Sequence, residues 1–467
     1  MNTALKSISF IVSAAALLAS SRFAAAQSRQ IPAPPQETPI AIVGATIHPV
    51  SAAAIDNGYV VFDKGRITAV GAGKPASLSR DAVTVDGKGM HVYPGLILAS
   101  TYLGLTEIGD IDQTNDSTEM GRVKPEVRAA VAVNPDSDLI PVTRANGILT
   151  ALVMPRGGLV NGRASVMRLD GWTWENMAIE PDAGLCISWP RVDGGGGGFG
   201  GGGGGRRGGG DTGGNADQDI EAIDKLLDDA NAYFKARETN PDVSTDLKFE
   251  ALRPIIKGEK PIFVSAASTG QIESAVAWSV RRNVKIVIVG GTGADRCAAL
   301  LTKHDIPVII TGTHRMAARR YEGYDAGYTL PARLKEAGVR FCITAGGEAA
   351  HDRNLNHMAA TAAAYGLDKD EALKSVTLYA AQIIGQGATL GSLDAGKSAT
   401  LIVTTGDPLE ITSDTLIAFI DGRRIDLGSR QKTLYAKYIE KYRQLGVLGS
   451  GVANKNGNGT SGAVGMQ

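Results

Sequence analysis

The sequence predicts a (β/α)₈ TIM-like barrel together with a small β-domain assembled from the two ends of the chain. Apolar strands alternate with alanine-rich helical segments through residues 94–387, a pattern typical of parallel β/α units. That span accommodates the roughly 250 residues of an eight-fold barrel, so a closed barrel is favoured over an open sheet. Short strands separated by glycine turns occupy residues 40–93 and return in residues 388–430, which indicates one β-domain built from both ends.

The barrel prediction depends on apolar strands with helices between them. The clearest strands are residues 147–154, 260–266, 284–290, 305–311 and 338–345. Helical segments such as residues 271–281 and 294–304 separate them at the spacing that β/α units need. Residues 431–445 are expected to form a C-terminal helix after the β-domain.

Composition indicates a folded chain and narrows the classes of partner. The 467 residues are 43% hydrophobic, which supplies a large core. Lys and Arg number 48 and Asp and Glu also number 48, so the formal net charge is zero. A nucleic acid or an anionic membrane surface is therefore disfavoured as the main partner. Cys186, Cys297 and Cys342 lie too far apart for a disulfide framework or a zinc finger and are expected to be free, buried thiols.

The first 26 residues have the features of a secretory signal peptide. Lys6 precedes the apolar residues 8–20, and three alanines at residues 24–26 form an A-x-A-like cleavage site before Gln27. The apolar run is shorter than the ~20 residues of a transmembrane helix. A retained N-terminal anchor is the alternative. We expect a periplasmic or secreted protein without a membrane span, with a flexible lead-in over residues 27–39.

Two segments are low in complexity. Residues 194–214 are almost all glycine, which loses the most backbone entropy on ordering, so they predict a disordered insertion. Residues 446–467 are rich in Gly, Asn and Ser and predict a disordered tail. The single Arg pair at Arg206 and Arg207 is too little to indicate RNA binding.

Two glycine motifs give little evidence of phosphate binding. Residues 391–398 match G-x-x-x-x-G-K-[ST], but they run into the β-branched residues 399–403 rather than a helix, so we reject a phosphate loop. Residues 290–293 follow a strand and precede a helix but lack the full dinucleotide fingerprint. We interpret them as a tight turn.

The densest polar cluster is residues 346–353, directly after a predicted strand. In a barrel this is the C-terminal mouth, where active sites lie. Glu348, His351 and Asp352 are therefore candidate catalytic residues, because a carboxylate–imidazole pair can contribute about 10²–10⁴-fold by acid–base catalysis without a metal. The alternative is a surface loop with a capping aspartate.

Several segments resemble the amidohydrolase superfamily. They are residues 91–97 (HVYPGLI), similar to the V-x-P-G-L-I-D-x-H-x-H stretch that opens its barrel; residues 390–403, 406–409 and 419–423, similar to its closing segment; and residues 353–355 and 371–378, similar to imidazolonepropionase-like members. The resemblance covers nearly the whole mature chain. It implies a barrel plus a β-sandwich formed by residues 40–93 and 388–430, and a hydrolase acting on carbon–nitrogen bonds other than peptide bonds.

The family's metal-binding residues do not carry over to this chain. The resemblance places the His-x-His pair at Ser100 and Tyr102, the next two histidines at Ser265 and Gly290, and the catalytic aspartate at Gly346. The family's bridging lysine has no assigned position. A catalytic zinc needs about three protein ligands and lowers the pKa of bound water to ~7, which serine, tyrosine and glycine do not provide for. We expect no metal cofactor and loss of the family's mechanism.

Three functions follow from these observations. The first is a hydrolase with a rearranged site, the second a pseudoenzyme that binds a small molecule or a partner chain in the barrel mouth, and the third an interaction protein tethered through its glycine-rich loop. The replaced ligands favour the second over family-style catalysis. Homo-oligomerisation is left open. The expected substrate-binding residues are Ser100, Tyr102, Ser265, His314 and Arg315, the last two as a binding pair for an anionic group or, alternatively, a solvated loop pair.

Overall fold

The computed structural model describes residues 30–192, 215–317, 320 and 322–447. The predicted signal peptide, the glycine-rich insertion and residues 448–467 of the predicted tail lie outside the described residues.

The described residues form two sheets and a set of surrounding helices. The strands are β1 (Ile40–Ile47), β2 (Ile55–Asp63), β3 (Arg66–Ala72), β4 (Val83–Asp86), β5 (His91–Pro94), β6 (Leu96–Thr101), β7 (Ile148–Val153), β8 (Val160–Arg168), β9 (Ala178–Ser188), β10 (Ile262–Ala266), β11 (Ile286–Gly290), β12 (Val308–Thr311), β13 (Phe341–Thr344), β14 (Leu401–Thr404), β15 (Thr415–Ile420) and β16 (Arg423–Ile425). The α-helices are α1 (Ala129–Ala132), α2 (Leu139–Arg144), α3 (Trp174–Met177), α4 (Ala216–Thr239), α5 (Leu247–Glu250), α6 (Arg253–Ile256), α7 (Thr269–Arg282), α8 (Ala298–Lys303), α9 (Ala326–Glu336), α10 (Leu355–Ala364), α11 (Lys369–Ser375), α12 (Leu378–Ile383) and α13 (Arg430–Gln444). Short 3₁₀ helices span Asp112–Thr114, Ala294–Cys297 and Ala349–Asn354.

The barrel is one eight-stranded sheet in the order β6 to β13. Its first and last strands meet through a side chain: the Thr344 hydroxyl donates to the Ser100 carbonyl at 3.0 Å and accepts from the Ser100 amide at 3.2 Å. The sheet is therefore a nearly closed barrel whose two ends are joined by this side chain, and the predicted α/β barrel class is confirmed.

One strand runs against the predicted all-parallel pattern. β8 pairs antiparallel with both β7 and β9, whereas β6–β7 and β9 to β13 are parallel. The connection from β7 to β8 is only residues 154–159, which is too short for the crossover helix that a parallel neighbour requires. The barrel therefore contains a hairpin where a β/α unit was expected.

Strand periodicity divides the barrel core into two layers. Alternate residues, such as Ile97 and Ala99 or Val287 and Val289, pack inside the barrel, and Cys186 and Cys342 are buried there as free thiols. The intervening residues face the helices and form the larger cluster. Helix α7 begins in a capping box, in which Ser268 and Gln271 each bond the other's backbone amide, and Asn283 ends it in the left-handed conformation. These contacts fix both ends of the helix between β10 and β11.

The second sheet combines strands from both ends of the chain, in the order β16-β15-β14-β5-β1-β2-β3, with β4 also paired to β1. Phe62 of β2 contacts Phe419 of β15 edge-on, with ring centroids 5.0 Å apart, so the N- and C-terminal strands share one core. The backbone amide of Ile67 donates a hydrogen bond to the carbonyl oxygen of Lys397 at 2.9 Å, which connects β3 to the segment before β14. Within the described ranges, no helix is both long and apolar enough to cross a membrane.

Candidate functional site

A cavity of about 330 Å³ opens at the C-terminal ends of the barrel strands. Ser100, Ser265 and Gly290 line it from the ends of β6, β10 and β11. The remaining lining residues are Thr101, Tyr102, Met154, Pro155, Arg156, Asn161, Ser188, Val289, Thr311, Ala345, Gly347, Glu348, Ala349 and Asp352. This is the mouth of the barrel, where a ligand is accessible from solvent while the strands fix its surroundings.

The structure brings five of the eight sequence-predicted site residues to this cavity. Ser100, Tyr102, Ser265, Glu348 and Asp352 line it. His351, His314 and Arg315 are not among the lining residues. The predicted constellation is therefore divided between the cavity and the surface around it.

Asp352 is the buried carboxyl of the cavity. It lies in the 3₁₀ helix Ala349–Asn354, is only 2% exposed and accepts a hydrogen bond from the Thr101 hydroxyl. Burial raises the pKa of Asp352 to about 7, and the Thr101 hydrogen bond opposes that rise. Near neutral pH this carboxyl can therefore both accept and release a proton.

Glu348 and His351 form a solvent-exposed pair in the same loop, and of the two only Glu348 lines the cavity. Nδ1 of His351 lies 3.8 Å from Oε2 of Glu348, and the side chains are 57% and 73% exposed. Solvent screens such a pair, so its interaction is weak. The predicted carboxylate–imidazole pair thus exists at the surface, while Asp352 is the buried carboxyl of this loop.

Arg156 and Tyr102 contact each other in the lining of the cavity. The guanidinium carbon of Arg156 lies 4.5 Å from the centre of the Tyr102 ring, and Nε donates to the Ser117 hydroxyl at 2.9 Å. Burial raises the pKa of Tyr102, which therefore stays a neutral phenol at physiological pH. The sequence analysis did not single out Arg156, although it lies just after the correctly predicted strand β7, at the position where barrel residues reach the mouth.

Asn161 and Ser188 were also missed: Asn161 lies on β8, which was not predicted, and Ser188 ends β9, a strand to which no site residue was assigned. The Asn161 amide nitrogen donates to the Ser188 hydroxyl at 2.9 Å, and the asparagine is 3% exposed. Its Oδ1 is buried and has no hydrogen-bond partner among the described residues. An acceptor of this kind is costly to leave unpaired.

His314 and Arg315 follow β12 but make contacts away from the cavity. Nε2 of His314 lies 2.6 Å from the Thr361 hydroxyl on α10, and burial together with His357 lowers the pKa of His314. Arg315 pairs with Glu322 at 3.3 Å. Both side chains are therefore committed to neighbouring elements.

The residues at the family's ligand positions do not fit a divalent metal. The cavity lining offers two carboxylates and no imidazole, and no three His, Cys, Asp or Glu side chains in the described part of the chain are grouped so as to hold an ion. The backbone also restricts two positions. Gly290 has φ +113°, and a Cβ there would lie 3.0 Å from the Ala266 carbonyl oxygen. A Cβ on Gly346 would lie 3.3 Å from the Gly312 Cα.

Comparison with known proteins agrees with this architecture. The model of the Amidohydrolase family matches residues 268–427. The curated relative "Amidohydrolase tasK" of Hapsidospora irregularis is 23% identical over 414 residues, which cover 78% of this chain and 39% of the relative. The chain therefore spans about two fifths of that protein.

Solved structures share the fold. An amidohydrolase from Thermotoga maritima MSB8 superposes with a TM-score of 0.71 at 23% identity, covering 83% of this chain and 99% of that one. A Xaa-Pro dipeptidase with bound methionine in the active site has a TM-score of 0.53 at 14% identity, over 83% of this chain and 100% of that one.

The nearly closed barrel and the sheet built from both ends define an α/β protein with a cavity at the barrel mouth. Residues 268–427 match the Amidohydrolase family, and the fold is shared with a solved amidohydrolase. The imidazolonepropionase-like subgroup stays a prediction.

Proposed function

We propose that this protein binds a small polar molecule in the barrel mouth and does not use the family's metal. The observation that carries the proposal is a retained cavity of about 330 Å³ in which the family's ligand positions at the strand ends hold Ser100, Tyr102, Ser265 and Gly290. Hydroxyl groups donate and accept hydrogen bonds without the charge that a dication requires. This half of the cavity therefore suits a neutral polar part of a ligand.

A blocked cavity tests this proposal. The Ser265 side chain is accessible in the cavity although its neighbours in β10 are buried, so Ser265→Phe fills the mouth. The exposed Ser77→Phe is the matched control. In a thermal-shift screen of small polar molecules, we expect ligands that stabilise the wild type and Ser77→Phe but not Ser265→Phe. Equal stabilisation of all three proteins would contradict binding in the mouth.

A second candidate is hydrolysis of a carbon–nitrogen bond without a metal, favoured by the pKa of Asp352 at about 7. A buried carboxyl of this kind can remove a proton from water and return it to a leaving nitrogen. The solved structures with this fold include a prolidase, a Xaa-Pro dipeptidase and a molinate hydrolase, so Xaa-Pro dipeptides and molinate belong in the substrate screen. Turnover that survives a chelator and is lost in Asp352→Asn, but not in Glu348→Gln, would favour this candidate.

We also propose that the protein is exported to the periplasm or beyond. Support comes from the basic residue, apolar run and A-x-A-like site within residues 1–26. N-terminal sequencing of the exported protein should begin at Gln27. A start before Ser20 would contradict cleavage at this site.

A further inference from the structure

We infer that Arg156 is an oxyanion-binding residue of the barrel mouth, and that its ligand is a small monocarboxylate that also carries a hydroxyl or amide hydrogen-bond donor. The inference rests on the proposed function, because it names the ligand class of the same cavity.

Arg156 is held in place by a neighbouring stretch of chain. Residues 117–128 run alongside residues 156–163 and form parallel bridges with them, Thr118 to Arg156 among others. Two glycines allow this close approach: a Cβ on Gly158 would lie 2.8 Å from the Arg122 carbonyl oxygen, and a Cβ on Gly162 would lie 2.8 Å from that of Val127. The backbone position of Arg156 is therefore fixed before any ligand binds.

The side chain of Arg156 is also oriented. Its Nε donates to the Ser117 hydroxyl at 2.9 Å, and its guanidinium carbon lies 4.5 Å from the Tyr102 ring centre. The backbone amide of Arg156 also donates to the Ser117 carbonyl oxygen at 2.8 Å. Within the described residues Arg156 forms no ion pair, whereas Arg163 and Arg315 pair with Asp182 and Glu322. A guanidinium that is already oriented, lines a cavity and has no carboxylate partner is suited to bidentate hydrogen bonding with an oxyanion.

Asn161 supplies an independent requirement. It lines the same cavity, and its Oδ1 is a buried acceptor without a partner in the described part of the chain, while its nitrogen is engaged by Ser188. A ligand with only an anionic group would leave this acceptor unpaired. The ligand therefore also donates a hydrogen bond from an N–H or O–H group.

The charges of the cavity favour a monoanion. Glu348 and Asp352 line it together with Arg156, so a dianion meets repulsion that a single carboxylate largely avoids. Carboxylate is therefore preferred over phosphate. Met154 and Pro155, which precede Arg156, add an apolar wall for the carbon skeleton of the ligand.

Mandelate is a suitable probe, because it carries a carboxylate, an adjacent hydroxyl and an aromatic ring. Mandelamide lacks the charge, α-methoxyphenylacetate lacks the hydroxyl donor, and inorganic phosphate tests the other oxyanion. Titration calorimetry and ligand-observed NMR would compare the wild type with Arg156→Gln, Arg156→Lys and Asn161→Leu. The exposed Arg80→Gln is the matched control.

We expect mandelate to bind at least about tenfold more tightly than mandelamide, which lacks the charge, and than α-methoxyphenylacetate, which lacks the hydroxyl donor. Arg156→Gln should remove the preference for the charged probe, Arg156→Lys should keep part of it, and Asn161→Leu should remove only the preference for the hydroxyl. Far-ultraviolet circular dichroism would establish that each variant is folded. Because Arg156→Lys keeps the positive charge and Arg156→Gln does not, comparing these two variants separates the loss of charge from a loss of fold.

Equal affinity for mandelate and mandelamide, unchanged in Arg156→Gln, would overturn the inference. Phosphate binding as tightly as mandelate would overturn the choice of carboxylate. Failure of all four probes, while a neutral ligand is still blocked by Ser265→Phe, would overturn the inference and leave the proposed function standing. Absence of any ligand blocked by Ser265→Phe would instead contradict the proposed function itself.

Discussion

The two sides of the barrel mouth differ in charge and in what holds them. At the strand ends, Ser100, Ser265 and Gly290 are small and neutral. On the loops, Arg156 and Asp352 are ionisable, and each is fixed in place by a neighbouring hydroxyl: Arg156 donates to Ser117, and Asp352 accepts from Thr101. The family resemblance implies charged ligands at the strand ends. The difference indicates that this chain keeps the cavity of its fold while its charged chemistry lies on the loops.

The loop after β13 shows that burial decides what neighbouring residues can do. Asp352 is 2% exposed and its pKa is raised to about 7, whereas the side chain of Glu348 is 73% exposed and that of His351 is 57% exposed. Three ionisable residues within five positions therefore have different environments. The predictions below test this contrast and the closure of the barrel behind it.

The largest expected effect is that of Asp352→Asn on the pH dependence of stability. A carboxyl whose pKa rises from 3.8 to about 7 on folding is harder to ionise in the folded state, so wild-type stability falls as pH rises between these values. The penalty amounts to about 4 kcal/mol above pH 7. Asparagine removes it and still accepts the Thr101 hydrogen bond.

Urea unfolding at pH 5 and pH 8 measures this effect. The stability of Asp352→Asn relative to the wild type should increase by about 3 kcal/mol between the two pH values. Glu348→Gln is the control and should show little change. If the difference in unfolding free energy between Asp352→Asn and the wild type were the same at pH 5 and pH 8, the raised pKa of Asp352 would be contradicted.

The next effect concerns barrel closure. Thr344→Val keeps the shape of a fully buried side chain but removes both hydrogen bonds to the Ser100 backbone. We expect a loss of about 2 kcal/mol in unfolding free energy. Thr311→Val is the control, because Thr311 is paired in register with Thr344 on the adjacent strand and its hydroxyl has no hydrogen bond among the described residues. Equal losses in both variants would show that closure does not depend on Thr344.

The smallest effects are expected at the exposed pair. Glu348→Gln and His351→Ala should each change the unfolding free energy by less than about 0.5 kcal/mol, since solvent screens both groups. Chemical denaturation of the single and double variants measures the coupling between them. A coupling above about 1 kcal/mol would mean that the pair is far better shielded than its exposure indicates.

The sequence predicted the fold where local pattern and family resemblance agreed. The strands ending at Ala266, Gly290, Thr311 and Thr344 have short apolar runs with helices between them, and the structure has them in parallel. β8 was missed because residues 160–168 alternate weakly and follow a short glycine turn, so nothing local distinguishes a hairpin from a loop.

The site was predicted from the family resemblance and from position after a strand. The resemblance placed Ser100, Tyr102 and Ser265 at the mouth, and Asp352 was placed there because it follows a predicted strand. His314 and Arg315 also follow a strand, but contacts with Thr361 and Glu322 take them elsewhere. Whether a side chain after a strand faces the cavity depends on tertiary contacts, which a single sequence does not reveal.

Metal analysis of the purified mature protein tests the central claim most directly. We predict well under about 0.1 divalent metal ion per chain after dialysis, and ligand binding that is unchanged by a chelator, because the strand ends lack imidazole and carboxylate ligands. About one zinc ion per chain, removed by a chelator together with ligand binding or activity, would contradict the account. The metal ligands would then have to come from residues such as His314, His351 or Asp352 in an arrangement different from the one described.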